Sequence, residues 1–270
     1  MLSFPNIDPV AFEIGPLVFR WYALAYLAGI LGGWWCALKL LKQYGPSPLN
    51  PTKEQIDDFI VWVILGIVLG GRLGYVLFYN LPYYIENPFD IPKIWHGGMS
   101  FHGGATGVIL AIIFFALKKK LSVLRLGDIV CCVVPIGLFF GRIANFINGE
   151  LYGRITDGPW GMVFPHGGPE PRHPSQLYEA GLEGLLIFIT LMVLHQIKDI
   201  REKHGFIAGM FLLDYGIFRF IIEYVREPDE QIGEIFGFIT MGQVLCLPMM
   251  IAGSLLIMFS VINSRRHVRA

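Results

Sequence analysis

Seven stretches of this chain are each apolar and long enough to cross a lipid bilayer, and that limits what it can fold into. About 20 helical residues span a hydrocarbon core roughly 30 Å thick. Windows near 17–38, 57–79, 99–117, 127–147, 176–197, 205–225 and 241–262 meet that need. Inside lipid every backbone N–H and C=O has to be paired within the protein, so the expected class is an all-α integral membrane protein of about seven transmembrane helices. Only 16% of the 270 residues are charged, well below the roughly 25% of soluble domains. No segment between the spans has room for a soluble domain. The expected organisation is one polytopic membrane domain over residues 1–270, with residues 148–175 as an external cap.

Lysine and arginine set the orientation, because cytoplasmic loops hold the excess. One side carries Lys39, Lys42 and Lys53, then Lys118, Lys119, Lys120 and Arg125, then Lys198, Arg201 and Lys203, and finally Arg265, Arg266 and Arg269. The other side has only Arg20, Lys93, Arg154, Arg172 and Arg226. This asymmetry places the N-terminus outside and the C-terminus in the cytoplasm. The N-terminal M-L-S-F-P-N-I-D-P-V has no basic n-region and no A-x-A-type cleavage site, so the first span is expected to act as its own insertion signal. The Gly- and Pro-rich connection after Asn148 reads as a structured cap or lid.

Polar residues inside the spans carry the chemistry. An arginine at the bilayer centre costs at least about 2.5 kcal/mol, so it normally faces a partner or a polar cavity. Residues Gly141 to Gly153 read G-R-I-A-N-F-I-N-G-E-L-Y-G and place Arg142, Asn145, Asn148 and Glu150 at the end of an apolar segment. Helical rise sets Arg142 and Arg72 roughly 21 Å above Asp128 and Asp58, with Arg219 and His102 about 24 Å and Tyr22 about 25 Å from the cytoplasmic edge. Three arginines, a histidine and a tyrosine are thus expected at one depth in the outer half of the membrane. Glu223, four residues after Arg219, shares its helix face and is placed to orient it. Glu150, Glu179, Glu183 and Glu223 are internal counter-charges. Guanidinium groups left over after such pairing would suit a phospholipid phosphate, which they grip in bidentate fashion. Arg72 stands between a structural ion-pair reading and a catalytic one. His102 lies in G-G-M-S-F-H-G-G, Gly97 to Gly104, whose glycines allow close approach of a ligand or another backbone. His173 is expected to brace the cap, while Gly32-Gly33 and Gly70-Gly71 permit close helix packing.

Residues 57–80 align without gaps on 127–150, matching Asp58/Asp128, Val63/Val133, Gly71/Gly141 and Arg72/Arg142. A parallel duplication and shared membrane composition both account for this. Cys36, Cys131, Cys132 and Cys246 all fall in apolar segments and read as small hydrophobic fillers. There is no H-E-x-x-H, no Cys/His cluster at ligand spacing, no G-x-S-x-G elbow and no P-loop, so neither metal nor cofactor is expected. The basic loops are short and explained by topology, which argues against nucleic acid as a partner.

The run Gly141-Arg142-x-x-Asn145-Phe146-x-Asn148-x-Glu150-x-x-Gly153 resembles the signature of the bacterial prolipoprotein diacylglyceryl transferases. The resemblance covers nearly the whole chain. It includes W-Y-A-L at 21–24, G-G-R-L-G-Y-V-L-F-Y-N at 70–80, G-G-M-S-F-H-G-G at 97–104 and R-H-P-S-Q-L-Y-E at 172–179. Y-G-I-F-R-F-I-I-E at 215–223, R-E-P-D at 226–229 and M-G-Q at 241–243 complete it. No position that the family treats as functional departs from its pattern.

The resemblance implies an inner-membrane enzyme with seven spans and a site toward the periplasmic half. It would move the sn-1,2-diacylglyceryl group from phosphatidylglycerol to the lipobox cysteine of a prolipoprotein, releasing glycerol phosphate. By position Arg142 corresponds to the family's phosphatidylglycerol-binding arginine. His102, Arg219, Tyr22, Asn145, Glu150, Gly153, Tyr215 and Glu223 fall on its other functional positions. In this reading Arg142 anchors the phosphate and Arg219 stabilises charge on the leaving group. Asn145, Asn148 and Tyr22 bind phosphate or glycerol. His102 acts as base, or the arginines stabilise the thiolate without one. The rival reading is a polytopic transporter with an anion-binding cavity.

Overall fold

The computed structural model describes residues 2–227, 234–235 and 239–269. Pro228 and Asp229 of the R-E-P-D run lie outside the described residues. Two compact units form, one from Met1–Cys36 with Asp128–Ala270, the other from Ala37–Gly127.

Helices dominate, as the apolar windows require. The long ones are α1 (Trp21–Leu41), α2 (Lys53–Phe78), α3 (Phe101–Lys119), α4 (Val123–Ile147), α5 (Ser175–Gln196), α6 (Phe206–Ile222) and α7 (Met241–Arg269). Six of them are long and apolar enough to span a membrane: α1 to α5 and, over Met241–Ser264, α7. The seventh window yields α6, whose 17 residues extend about 26 Å, slightly less than the hydrocarbon thickness.

Their ends follow from local chemistry. At the start of α2 the Thr52 hydroxyl accepts from the Gln55 amide at 3.3 Å, and the Gln55 side chain accepts from the Thr52 amide at 2.8 Å. This capping box satisfies two otherwise orphaned donors. Thr240 and Gln243 repeat the device at the start of α7. The N-terminus of α6 is capped from another helix: the Asp128 carboxylate of α4 accepts from the Gly205 amide at 2.7 Å and the Ala208 amide at 2.8 Å. A buried carboxylate at a helix N-terminus also meets the positive end of the helix dipole. Within α5, residues Ala180–Leu186 adopt a π-helical turn, a distortion that recurs at functional sites.

In the second unit α2 packs on α3 through small residues. Gly66, Gly70 and Gly74 face Gly103 and Gly107, and a methyl group on Gly66 or Gly74 would lie 2.7 Å from the opposing backbone. Gly70 therefore does serve close packing, while Gly103, beside His102, is taken up by the same helix contact. Repeating small residues at four-residue spacing allow such approach in membranes.

The structure adds two antiparallel strand pairs that apolar windows could not reveal, namely β1 (Val10–Ile14) with β2 (Leu17–Arg20), and β3 (Glu234–Ile235) with β4 (Ile239–Thr240). The connection after Asn148 folds around Phe146, Met162 and Phe164, with Phe4, Tyr152 and Leu177 against them. Arg172 ties it together. Its guanidinium stacks 5.0 Å from the Tyr152 ring, donates to the Gly167 carbonyl at 2.8 Å and pairs with Glu227 at 2.8 Å. His173 braces the same segment: its Nδ1 lies 3.4 Å from Trp160 Nε1 and 3.2 Å from the Tyr178 hydroxyl. Burial pushes the His173 imidazole below its usual 6.5.

Candidate functional site

The last turn of α4 and the loop beyond it form a chain of hydrogen bonds. Arg142 donates to Asn145 Oδ1 at 3.4 Å, and the Asn145 amide donates to Glu150 at 2.8 Å. Asn148 reaches the same Glu150 oxygen at 3.2 Å. The loop folds back because Gly149 and Leu151 take positive φ values of 66° and 58°. The Gln176 side chain then fastens the Glu150 carbonyl at 2.6 Å. The spacing R-x-x-N-x-x-N-x-E thus encodes a relay: the asparagine amides that were expected to meet substrate hold Glu150, and the Asn145 carbonyl orients Arg142.

Arg142 also enters a charge cluster built by three elements of the first unit. Its Nε lies 2.9 Å from Glu179 Oε2 on α5. Arg219 of α6 approaches Glu179 Oε1 at 2.7 Å and Glu223 Oε2 at 3.0 Å. Arg226, past the end of α6, takes the same Glu179 oxygen at 2.9 Å. Glu183, one turn on in the π-helical stretch, lies 4.0 Å from Arg142 and 3.9 Å from Arg219. Among the described residues, neither Glu183 carboxylate oxygen has a hydrogen-bond partner. The i,i+4 pairing of Arg219 with Glu223 therefore forms as the spacing indicated. The Thr240 hydroxyl donates to the other Glu223 oxygen at 3.0 Å, and at Gly242 any side chain would strike this carboxylate. M-G-Q thus reads structurally as room for Glu223 plus the cap of α7.

Of the expected counter-charges, Glu179, Glu183 and Glu223 do pair with the arginines, while Glu150 binds Asn145 and Asn148 instead. Arg226, not singled out from the sequence, is the third guanidinium of the cluster. Exposure separates the signs. The Arg142, Arg219 and Arg226 side chains are 17%, 15% and 13% accessible, whereas Glu179 and Glu183 are 0% and Glu223 is 6%. The carboxylates are the more buried partners and the guanidiniums the more accessible ones. Each guanidinium has five N–H donors, more than its contacts to these carboxylates use.

The remaining predicted residues divide. Tyr215 on α6 lies within electrostatic reach of Glu183, Arg219, Arg142 and Glu179. Tyr22 is exposed on α1, its hydroxyl 3.5 Å from that of Tyr26. Gly153 has a backbone role: its amide donates to the His173 carbonyl at 2.8 Å, it bridges Arg226, and the Val225 carbonyl and His173 leave no space for a side chain. His102 belongs to the second unit, exposed on the first turn of α3 with its ring 5.8 Å from that of Phe101. Arg72, also in the second unit, is 4% exposed and donates to backbone carbonyls of the 90–98 loop.

Arg226 was missed as a cluster member because it follows the helix end, where periodicity no longer applies. The acidic hub had a legible signal: Glu179 and Glu183 are two carboxylates at i,i+4 within one apolar span.

A family model described as prolipoprotein diacylglyceryl transferase matches residues 9–259. The chain is 56% identical over 253 residues to the Rhodospirillum rubrum phosphatidylglycerol–prolipoprotein diacylglyceryl transferase, covering 93% of this chain and 92% of that protein. It is 52% identical over 270 residues to the Paramagnetospirillum magneticum protein of the same name, covering 100% and 98% of the two chains. With the Azospirillum brasilense protein, also of that name, identity is 54% over 254 residues, covering 93% and 94%.

Proposed function

The chain belongs to the prolipoprotein diacylglyceryl transferase family, and from that premise we propose that it transfers a diacylglyceryl group from phosphatidylglycerol to a prolipoprotein. The acceptor is the thiol of a lipobox cysteine. Its sulfur bonds to the glyceryl C3 carbon, the C3–O bond breaks, and the phosphate departs as glycerol phosphate. The observation that carries this reading is the sorting of charge in the first unit, with partly accessible guanidinium groups held by more deeply buried carboxylates.

That arrangement suits a phosphodiester. Arg142, steered by Asn145 and Glu179, anchors the phosphate with paired N–H donors. Arg219, held by Glu179 and Glu223, meets the charge that grows on the leaving phosphate, where preorganised donors contribute most. A free thiol has a pKa near 8.5, so its proton must be removed at neutral pH. His102, exposed on the first turn of α3, is the base in this reading. Asn145, Asn148, Glu150 and Gly153 keep the Arg142 loop in place, while Tyr22 and Tyr215 add hydrogen-bonding hydroxyls. Seven spans, an external N-terminus and an active site in the periplasmic half of the inner membrane complete the proposal. The positive residues of the 118–125 and 198–203 loops support that orientation. The relatives' names lend no support to an anion transporter.

The test is direct. Purified protein, phosphatidylglycerol and a lipobox peptide should give a peptide heavier by one diacylglyceryl group and an equivalent of glycerol phosphate. Absence of the adduct with intact protein and accessible peptide would refute the assignment.

A further inference from the structure

The Arg72 guanidinium is surrounded by backbone. Its Nε donates to the Ile91 carbonyl at 2.7 Å. One terminal nitrogen donates to the carbonyls of Gly97 and, at 3.1 Å, Gly98. The other donates to Asp90 at 2.8 Å and Lys93 at 3.3 Å. A guanidinium has five N–H donors, and here five carbonyls receive them. The cation also stacks 5.1 Å from the Tyr84 ring. At 4% exposure, no donor remains for a lipid phosphate.

Those carbonyls belong to the segment that delivers the chain into α3. Gly97 and Gly98 take φ values of 82° and 80°, a backbone region open chiefly to glycine, and this conformation accompanies two carbonyls bound to Arg72. The next anchor is one step along: the Ser100 amide donates to the Gly71 carbonyl at 2.8 Å, and the Ser100 hydroxyl caps α3 by accepting from the Gly103 amide at 3.1 Å. His102 is two residues beyond Ser100. Gly71 and Arg72 therefore fix the N-terminus of α3, the former through its backbone and the latter through its side chain.

We propose that Arg72 is a positioning residue for His102, holding the 90–98 loop so that the imidazole is presented from a fixed first turn of α3. This rests on the reading of His102 as the base. Arg72 touches no substrate. It acts through the planar five-donor geometry of its side chain, which the three donors of a lysine ammonium do not reproduce.

The experiment compares Arg72→Lys, His102→Gln and the double variant in diacylglyceryl transfer to a lipobox peptide, with hydrogen exchange across residues 88–100. Lysine keeps the charge, which protects membrane insertion. The proposal expects Arg72→Lys to lower kcat roughly 10- to 100-fold, as loss of orientation does. KM for phosphatidylglycerol should stay within about twofold, since orientation and not lipid binding is lost. Exchange in the 88–100 segment should rise. The double variant should be no slower than the slower single variant, since groups acting as one unit are non-additive. A raised KM with unchanged kcat would make Arg72 a lipid contact and overturn the proposal. So would unchanged exchange, or rate losses that multiply in the double variant while His102→Gln alone is impaired. Wild-type turnover in His102→Gln would overturn the base reading as well as the proposal.

Discussion

At the scale of single residues, the most consequential contact is the one between Arg142 and Glu179. Replacing Arg142 with alanine removes one of three guanidiniums from Glu179, leaving Arg219 and Arg226 in place at 2.7 and 2.9 Å. The buried carboxylate therefore keeps partners, and the protein is expected to insert and fold. Activity should fall about 1,000-fold, the scale of losing a preorganised anion-stabilising group. Lysine at Arg142 should recover part of that, about tenfold below wild type, because an ammonium lacks the planar fork that meets Glu179 and Asn145 and, in the proposed reaction, the phosphate. Steady-state transfer rates on variants of matched membrane abundance measure both; wild-type turnover in Arg142→Ala would remove Arg142 from the phosphate site. Arg142, Arg219 and Glu223 were legible in the sequence because each sits at helical spacing inside an apolar span, where charge demands a partner. Arg226 and Thr240 were not, since each lies beyond a helix end and reaches the cluster only through tertiary folding. Arg72 looked the same as Arg142 in sequence; what separates them is which acceptors the fold brings to each guanidinium.

Elements show the same limit. Long apolar windows located the helices well, because hydrogen-bond closure inside lipid leaves few alternatives. They did not find the π-helical turn in α5, which keeps the composition of an ordinary helix, nor the β1–β2 hairpin, whose apolar residues merge with the first window. The segment after Asn148 offers a prediction of its own. Trp160 donates to the His173 ring, so neutral imidazole is the form that fits, and burial lowers its proton affinity. A group with a depressed folded value binds fewer protons folded than unfolded. Its contribution is complete above about pH 6.5 and is lost as pH falls below that. Limited proteolysis within residues 149–174 should therefore accelerate on acidification toward pH 5. A His173→Gln variant should show a flatter pH response. Equal pH dependence in both proteins would show that another group governs the segment.

For the whole molecule, the distribution of Lys and Arg makes a topological prediction. A cysteine placed at Lys119 should react with a membrane-impermeant maleimide only after the cytoplasmic face is opened, whereas one at Gly168 should react in intact spheroplasts. The reverse pattern would invert the proposed orientation. The 57–80 and 127–150 segments also diverge in use. Asp58 pairs with Lys119 at 2.9 Å while Asp128 caps α6, and Arg72 binds carbonyls while Arg142 binds carboxylates. Any common origin survives in position and not in task. Finally, the equal numbers of cations and anions in the Glu179 cluster bear on how the proposed reaction ends. The donor lipid is a phosphodiester with a single negative charge, but the departing glycerol phosphate is a monoester that carries nearly two at neutral pH. Three bare guanidiniums would cling to that product more firmly than to the incoming lipid. With Glu179 competing for every one of them, the dianion meets repulsion from that carboxylate, and the cycle can reset.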